Sequence, residues 1–123
     1  MSKNILGWVD IPVANLKRAI KFYSAVLGAK VTHRKMAGFE FGLLPYYQSK
    51  VSGCLVKIKD NKPSKNGPMI YLSVGPHHDR AEKAVLKNRG KILLKKHQIG
   101  PHGFRSVILD SEGNRIALHS DKG

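Results

Sequence analysis

Residues 10–28 read DIPVANLKRAIKFYSAVLG, and this stretch decides the fold more than any other part of the chain. Its first residues end an apolar, β-branched run, which predicts a strand over residues 5–12. Apolar residues then recur at helical spacing over residues 16–27, with Asn15 as N-cap and Gly28 where a C-terminal cap belongs. The stretch therefore predicts a strand followed by an amphipathic helix.

The same order of elements occurs twice in the chain. After the helix we predict strands over residues 29–34, 39–43 and 52–59. Residues 60–67 read DNKPSKNG, a polar linker holding a proline and a glycine. The second half repeats the order, with a strand at 69–74, a helix begun at Asp79 and ended at Gly90, and strands at 91–95, 104–109 and 115–119. We therefore predict one domain, 1–123, in which modules 1–60 and 67–120 are joined by linker 61–66.

Composition fits a compact, strongly basic domain. The 123 residues include 22 Lys and Arg against 8 Asp and Glu, for a net charge of +14, and 41% of residues are hydrophobic. These values exclude collagen, coiled-coil and membrane-spanning classes. Residues 1–60 and 61–123 each carry +7, so the charge is not confined to a tail. This positive charge attracts anions in general and does not identify a specific partner.

The cysteine count and the N-terminal sequence indicate the cellular compartment of the protein. Cys54 is the single cysteine, so no disulfide can form within the chain. No signal-peptide pattern is found at the N-terminus, and no apolar stretch is long enough to cross a membrane. We predict a cytoplasmic protein without a membrane partner.

Four short sequences give the chain a family resemblance. DIPVANL (10–16), AIKFY (19–23), LG (27–28) and DSEGNRIAL (110–118) resemble the vicinal oxygen chelate superfamily, which includes glyoxalase I, bleomycin resistance proteins and extradiol dioxygenases. The resemblance implies an α+β fold in which two βαβββ modules pair into a curved mixed sheet. The concave side forms the ligand cleft and the helices lie on the convex side. It also implies a homodimer.

The resemblance also locates the positions that bind metal in metal-dependent relatives. They fall on Trp8, Met69 and Ala117, and within residues 52–59, where Cys54 is the only side chain able to act as a ligand. A divalent metal that chelates oxygen needs several oxygen or nitrogen donors, which Trp, Met and Ala do not supply. We therefore predict no metal site and no cofactor.

Strand alternation predicts which side chains face the cleft. Trp8 either stacks on a planar ligand or fills the space of a metal, and Tyr71 either donates a hydrogen bond or only lines the wall. Arg115 is the candidate anion anchor and His119 the candidate proton-transfer group, if they cluster. The alternative is that Asp10 merely pairs with Arg115. The predicted ligand-binding residues are Trp8, Asp10, Cys54, Met69, Tyr71, Arg115, Ala117 and His119.

Other reactive residue types are interpreted as structural. Cys54 lies in an apolar run and is interpreted as a small hydrophobic residue, since a nucleophile needs a nearby base. His77 and His78 are adjacent, so they do not face each other, and a solvated loop is predicted there. His97 and His102 are instead assigned to a loop before a strand, and that loop could form the rim or a lid of the cleft.

These observations favour a metal-free protein that binds a small neutral or anionic organic molecule in its cleft. The charge disfavours a cationic drug. Two alternatives stay open. One is a lyase, isomerase or dioxygenase-type enzyme of the same superfamily, either with unexpected metal ligands or acting through Arg115 and His119. The other is a basic nucleic-acid or acidic-partner module, which lacks any recognisable binding motif.

Overall fold

The computed structural model describes residues 5–46 and 51–122 and contains two βαβββ modules in succession. The predicted duplication is therefore confirmed. The first module contains β1 (Val9–Pro12), α1 (Leu16–Leu27), β2 (Thr32–Met36), β3 (Phe39–Leu43) and β4 (Gly53–Val56). The second contains β5 (Ile70–Ser73), α2 (His78–Lys87), β6 (Lys91–Gln98), β7 (Phe104–Leu109) and β8 (Arg115–Ser120), with a short 3₁₀ turn at Gly100–His102.

Each module forms its own four-stranded mixed sheet. Sheet 1 has the order β1-β4-β3-β2, and sheet 2 has the equivalent order β5-β8-β7-β6. The first strand of each module pairs in parallel with the last, and the other neighbours are antiparallel. Within residues 5–46 and 51–122, no strand pair joins one sheet to the other.

The two helices join the modules. α1 and α2 pack against each other, and one continuous core includes residues of both modules. α1 begins as predicted, because the Asn15 side chain accepts a hydrogen bond from the Arg18 N–H, and it ends at Gly28 in the left-handed conformation. The largest fully buried side chains include Ile11, Phe22, Tyr23, Leu55, Ile108, Ile116 and Leu118. Because the core lies on the helix side, the opposite side of each sheet is left uncovered by the helices.

Several predicted strand ends are wrong. β1 begins at Val9 and not at Ile5, and β4 covers only Gly53–Val56 of the predicted 52–59. β2 covers 32–36 instead of 29–34, since residues after Gly28 form a connection in which the Val31 N–H donates to Ser24. β6 continues to Gln98, because β7 supplies a partner along that whole length. His97 therefore lies in a strand and not in a loop.

The predicted solvated loop at His77 and His78 is wrong for His78. This residue begins α2 and is 1% exposed. Its Nδ1 lies 2.6 Å from the Ser120 hydroxyl, and its Nε2 contacts the Ser106 hydroxyl. Both serines lie on the helix side of sheet 2, where buried hydroxyls require partners. Asp79 is also not the N-cap, which is His77, and instead accepts a hydrogen bond from Lys96 Nζ at 2.8 Å.

A buried carboxylate connects the second module to the start of α1. Glu112 lies in the turn between β7 and β8, and its side chain is fully buried. It accepts hydrogen bonds at 2.8 Å from the backbone N–H groups of Ala14 and Asn15, and it pairs with Arg18 at 2.7 Å. Burial alone would raise its pKa, but the hydrogen bonds from Arg18, Asn15, Ser111 and Ala14 lower the pKa of Glu112 to about 2.

Two buried groups make the fold sensitive to acid. Burial lowers the pKa of His78 below its ordinary 6.5, so the unfolded chain takes up a proton first, and stability falls as the pH drops below 6.5. The lowered pKa of Glu112 adds stability above 4.5 that is lost as the pH falls toward about 2. Urea unfolding at a series of pH values is expected to show both windows, and Glu112→Gln is expected to remove the lower one. Constant stability from pH 7 to pH 4.5 would contradict the His78 assignment, and constant stability from pH 4.5 to pH 2 would contradict the Glu112 assignment.

Candidate functional site

The outer face of each sheet is defined as the side that faces away from the helices. Strand register places Asp10 and Cys54 side by side on the outer face of sheet 1. Trp8 and Met69 immediately precede β1 and β5. On sheet 2, the outer face contains Tyr71, Ser73, Lys91, Leu94, His97, Arg105, Val107, Leu109, Arg115, Ala117 and His119.

Trp8, Asp10 and Cys54 form a hydrogen-bonded cluster on sheet 1. Trp8 Nε1 donates to Asp10 Oδ1 at 3.1 Å, and Cys54 Sγ donates to the same oxygen at 3.3 Å. The alternative prediction that Asp10 pairs with Arg115 is wrong, because the two residues belong to different sheets and Asp10 has these two donors instead. Trp8 is 51% exposed and thus leaves a large aromatic residue open to solvent.

Cys54 is chemically unreactive in this setting. Burial, and then the hydrogen bond to Asp10, raise the pKa of its thiol to about 11. The thiolate is the nucleophile and the metal-binding form, so the folded protein holds Cys54 in its inert state at neutral pH.

Alkylation tests this assignment. At pH 8 we expect iodoacetamide to modify Cys54 in the folded protein at least tenfold more slowly than in the urea-unfolded chain, because the raised pKa leaves little thiolate. Mass spectrometry at timed intervals measures both rates. Equal rates would show that the thiol is neither buried nor protonated.

Arg105 organises the outer face of sheet 2. Its Nη1 donates to the Tyr71 hydroxyl at 2.8 Å, while its Nε and Nη2 lie 3.3 and 3.2 Å from His97 Nε2. His97 Nδ1 lies 2.8 Å from the Lys95 carbonyl oxygen, so Nδ1 carries the hydrogen and Nε2 is free to accept. Tyr71 is on β5 and His97 on β6, the two edge strands, so the guanidinium extends across the middle of the sheet.

The predicted pair Arg115 and His119 does not come together. The two residues lie four positions apart at opposite ends of β8, which separates them by about 13 Å along the strand. His119 lies opposite Arg105 on β7, and its Nε2 donates to the His102 carbonyl oxygen at 2.6 Å. Arg105 and not Arg115 is therefore the arginine beside His119.

Arg105 and His97 were missed from the predicted site. The signal for Arg105 was present, because alternation within residues 104–109 puts Ile108 on the core side and Arg105 on the other. His97 was assigned to a loop. Its contact with Arg105 depends on two register irregularities in β6, which no hydrophobic pattern reveals.

The residues at the family's metal-binding positions do not fit a metal. Ala117 is fully buried and has no donor atom, Trp8 uses its only polar atom as a donor to Asp10, and Cys54 is held as a thiol. In the part of the chain that the structure describes, no group of three or more His, Cys, Asp or Glu side chains could hold a metal ion. A divalent metal therefore has no suitable donor set at these positions.

Two surface pockets lie near the sheet edges. One of about 270 Å³ lies beyond the carboxyl ends of β5 and β8 and includes one predicted residue, His119. The other, of about 480 Å³, lies between α1 and the β2–β3 hairpin, where it is lined by His33 and Glu40. Within the described residues, no helix has the length and apolarity to cross a membrane.

Solved structures share this fold. A glyoxalase/bleomycin resistance protein from Albidiferax ferrireducens T118 has a TM-score of 0.66 at 17% identity, and the match covers 95% of this chain and 99% of that one. A hypothetical protein from S. aureus has a TM-score of 0.69 at 16% identity, covering 98% and 95%. Glyoxalase I from Zea mays has a TM-score of 0.69 at 21% identity, but its 93% coverage of this chain corresponds to only 45% of the maize chain.

At these identities the structural likeness shows the fold alone. No curated protein matches the sequence. A family profile described as Glyoxalase/Bleomycin resistance protein/Dioxygenase superfamily, however, matches residues 5–118 and so includes both modules. Together with the duplicated βαβββ arrangement, this match shows that the chain belongs to the glyoxalase/bleomycin resistance protein/dioxygenase superfamily.

Proposed function

We propose that the protein binds a small neutral or anionic organic molecule on the outer faces of its sheets and does so without a resident metal. The observation that carries the proposal is the pair of hydrogen-bonded clusters, Trp8–Asp10–Cys54 and Tyr71–Arg105–His97, on the sides of the two sheets that face away from the helices. Aromatic walls with a few fixed polar groups are typical of small-molecule sites.

The electrostatics of sheet 2 favour a neutral or anionic ligand over a cationic one. The chain carries +14, and the sheet 2 strands place three basic side chains, Lys91, Arg105 and Arg115, on one outer face. No Asp or Glu lies on that face in the strands that the structure describes. A cation would be repelled there, whereas an acid or a neutral polar molecule would not.

A thermal-shift panel tests this function. Aromatic and aliphatic acids, their neutral amides, and cationic drugs are compared at matched concentrations. A ligand at 100 times its Kd is expected to stabilise the protein by about 2.7 kcal/mol, which raises Tm by several degrees. We expect acids or neutral compounds to give the shifts. Strong stabilisation by cationic drugs alone would contradict the proposal.

Metal analysis tests the second half of the proposal. Purified protein dialysed against EDTA is expected to hold no stoichiometric nickel, zinc or iron, and its response to the panel is expected to be unchanged by dialysis. One equivalent of metal surviving the chelator would show that other side chains form a site.

We also propose a homodimer in the cytoplasm. The β2–β3 hairpin of sheet 1 exposes the large apolar side chains Met36 and Phe39, and a second copy of the chain would cover them. The single free Cys54 is compatible with a reducing compartment. Sedimentation velocity is expected to show a dimer that Phe39→Glu weakens. A monomer at every concentration would contradict the dimer.

A further inference from the structure

We propose that Arg105 is a carboxylate anchor and that the ligand is therefore a small organic carboxylate. This inference rests on the proposed function, since it names the chemical class that the same surface takes. Four features of sheet 2 support it: the way the guanidinium is held, the N–H groups it has left, the charge of the surface, and the apolar side chains beside it.

The guanidinium of Arg105 is fixed before any ligand arrives. Tyr71 and His97 hold it from the two edge strands, and His97 is itself held by the Lys95 carbonyl oxygen. Arg115, on the same face, lies exposed at the beginning of β8. A group that is already oriented loses less conformational entropy on binding than a free side chain, so Arg105 is the better anchor.

The held guanidinium keeps two N–H groups available. Arginine has five N–H donors. The Nε–H and one Nη2–H share the His97 Nε2 lone pair, and one Nη1–H donates to the Tyr71 hydroxyl, which leaves one hydrogen on each terminal nitrogen. Two N–H groups on neighbouring nitrogens match the two oxygens of a carboxylate. The Tyr71 hydroxyl accepts from Arg105 and retains its own hydrogen to donate.

The positive charge of Arg105 has no partner of opposite sign. The ion pairs among the described residues join Arg18 to Glu112 and Lys96 to Asp79, and His33 contacts Glu40. Arg105 takes part in none of them, and both of its side-chain partners are neutral acceptors. An arginine that is ordered but lacks a carboxylate is prepared to receive one from a ligand.

The surface beside Arg105 suits an apolar body attached to that carboxylate. Tyr71 is 46% exposed, and its hydroxyl accepts a hydrogen bond from the guanidinium. Leu94, 52% exposed, lies on the same face, opposite Val107. An aromatic or short aliphatic acid can therefore place its charged end on Arg105 and its apolar part against Tyr71.

The experiment compares benzoate with benzamide, which has the same shape and no charge. Isothermal titration is performed on the wild-type protein, on Arg105→Gln and on Lys91→Gln. The last is the matched control, because Lys91 is an exposed cation on the same face at the other end of the sheet. We expect benzoate to bind at least tenfold more tightly than benzamide, and Arg105→Gln to weaken benzoate about 10- to 100-fold while Lys91→Gln changes it less than threefold.

The outcomes separate this inference from the proposed function. Equal affinities of benzoate and benzamide, or equal losses in both variants, overturn the anchor but leave a small-molecule site. No binding by any acid or neutral compound in the thermal-shift panel overturns the proposed function itself. If Arg105→Gln does not fold, Arg105→Lys keeps the charge and removes the fork of donors, and unweakened benzoate binding by that variant overturns the anchor.

Discussion

Glu112→Ala is expected to destabilise the protein by about 3–4 kcal/mol. The buried carboxylate satisfies two backbone N–H groups at the start of α1 and pairs with Arg18. Alanine leaves the N–H groups of Ala14 and Asn15 without their acceptor and removes a negative charge from a helix N-terminus. Because Glu112 belongs to the second module and α1 to the first, the loss weakens their junction.

Urea unfolding of wild type and variant measures the loss in free energy of unfolding. Thermal unfolding is expected to show a Tm lower by about 10 °C or more. Glu40→Ala is the matched control, since it removes a carboxylate from an exposed pair with His33 and is expected to cost less than about 1 kcal/mol. Equal losses in the two variants would show that the contacts of Glu112 with α1 contribute no more stability than the exposed contact between Glu40 and His33.

His78→Leu is expected to destabilise the protein by about 3 kcal/mol. Leucine is of similar size, but it removes the partner of two buried hydroxyls, those of Ser106 and Ser120. An unsatisfied buried hydroxyl costs about 1–3 kcal/mol, and His78→Leu leaves two of them.

The triple variant His78→Leu, Ser106→Ala, Ser120→Ala isolates the cause. Removing all the polar partners together is close to neutral when the shape is kept, so the triple variant is expected to recover most of the lost stability. Chemical denaturation of the single and triple variants decides between the two explanations. A triple variant as unstable as His78→Leu would show that packing, and not hydrogen bonding, made histidine necessary.

The sequence was sufficient for the architecture. Residues 10–28 predicted β1 and α1 with both caps, because the Asn15 cap and the left-handed Gly28 are local features. The duplication followed from the repeated order of elements. Strand ends were less predictable, since the ends of β2 and β6 depend on how far a partner strand runs.

The candidate site was predictable in composition but not in geometry. Alternation indicated that Tyr71 and His119 share a face with Ala117, as their register shows. The partners of Arg105 lie 34 and 8 residues away, across two strands, and depend on irregular pairing in β6. Likewise, His78 contacts serines 28 and 42 residues away. Contacts between side chains so distant in sequence leave no periodic signal.

The central claim is that this superfamily member binds an organic ligand through its own side chains and not through a metal. It is tested most directly by a thermal-shift titration of benzoate into protein dialysed against EDTA, repeated after one equivalent of Zn²⁺ is added. We predict the same benzoate-dependent rise in Tm in both titrations, and a loss of that rise in Arg105→Gln. A rise that occurs only after zinc is added would contradict the account.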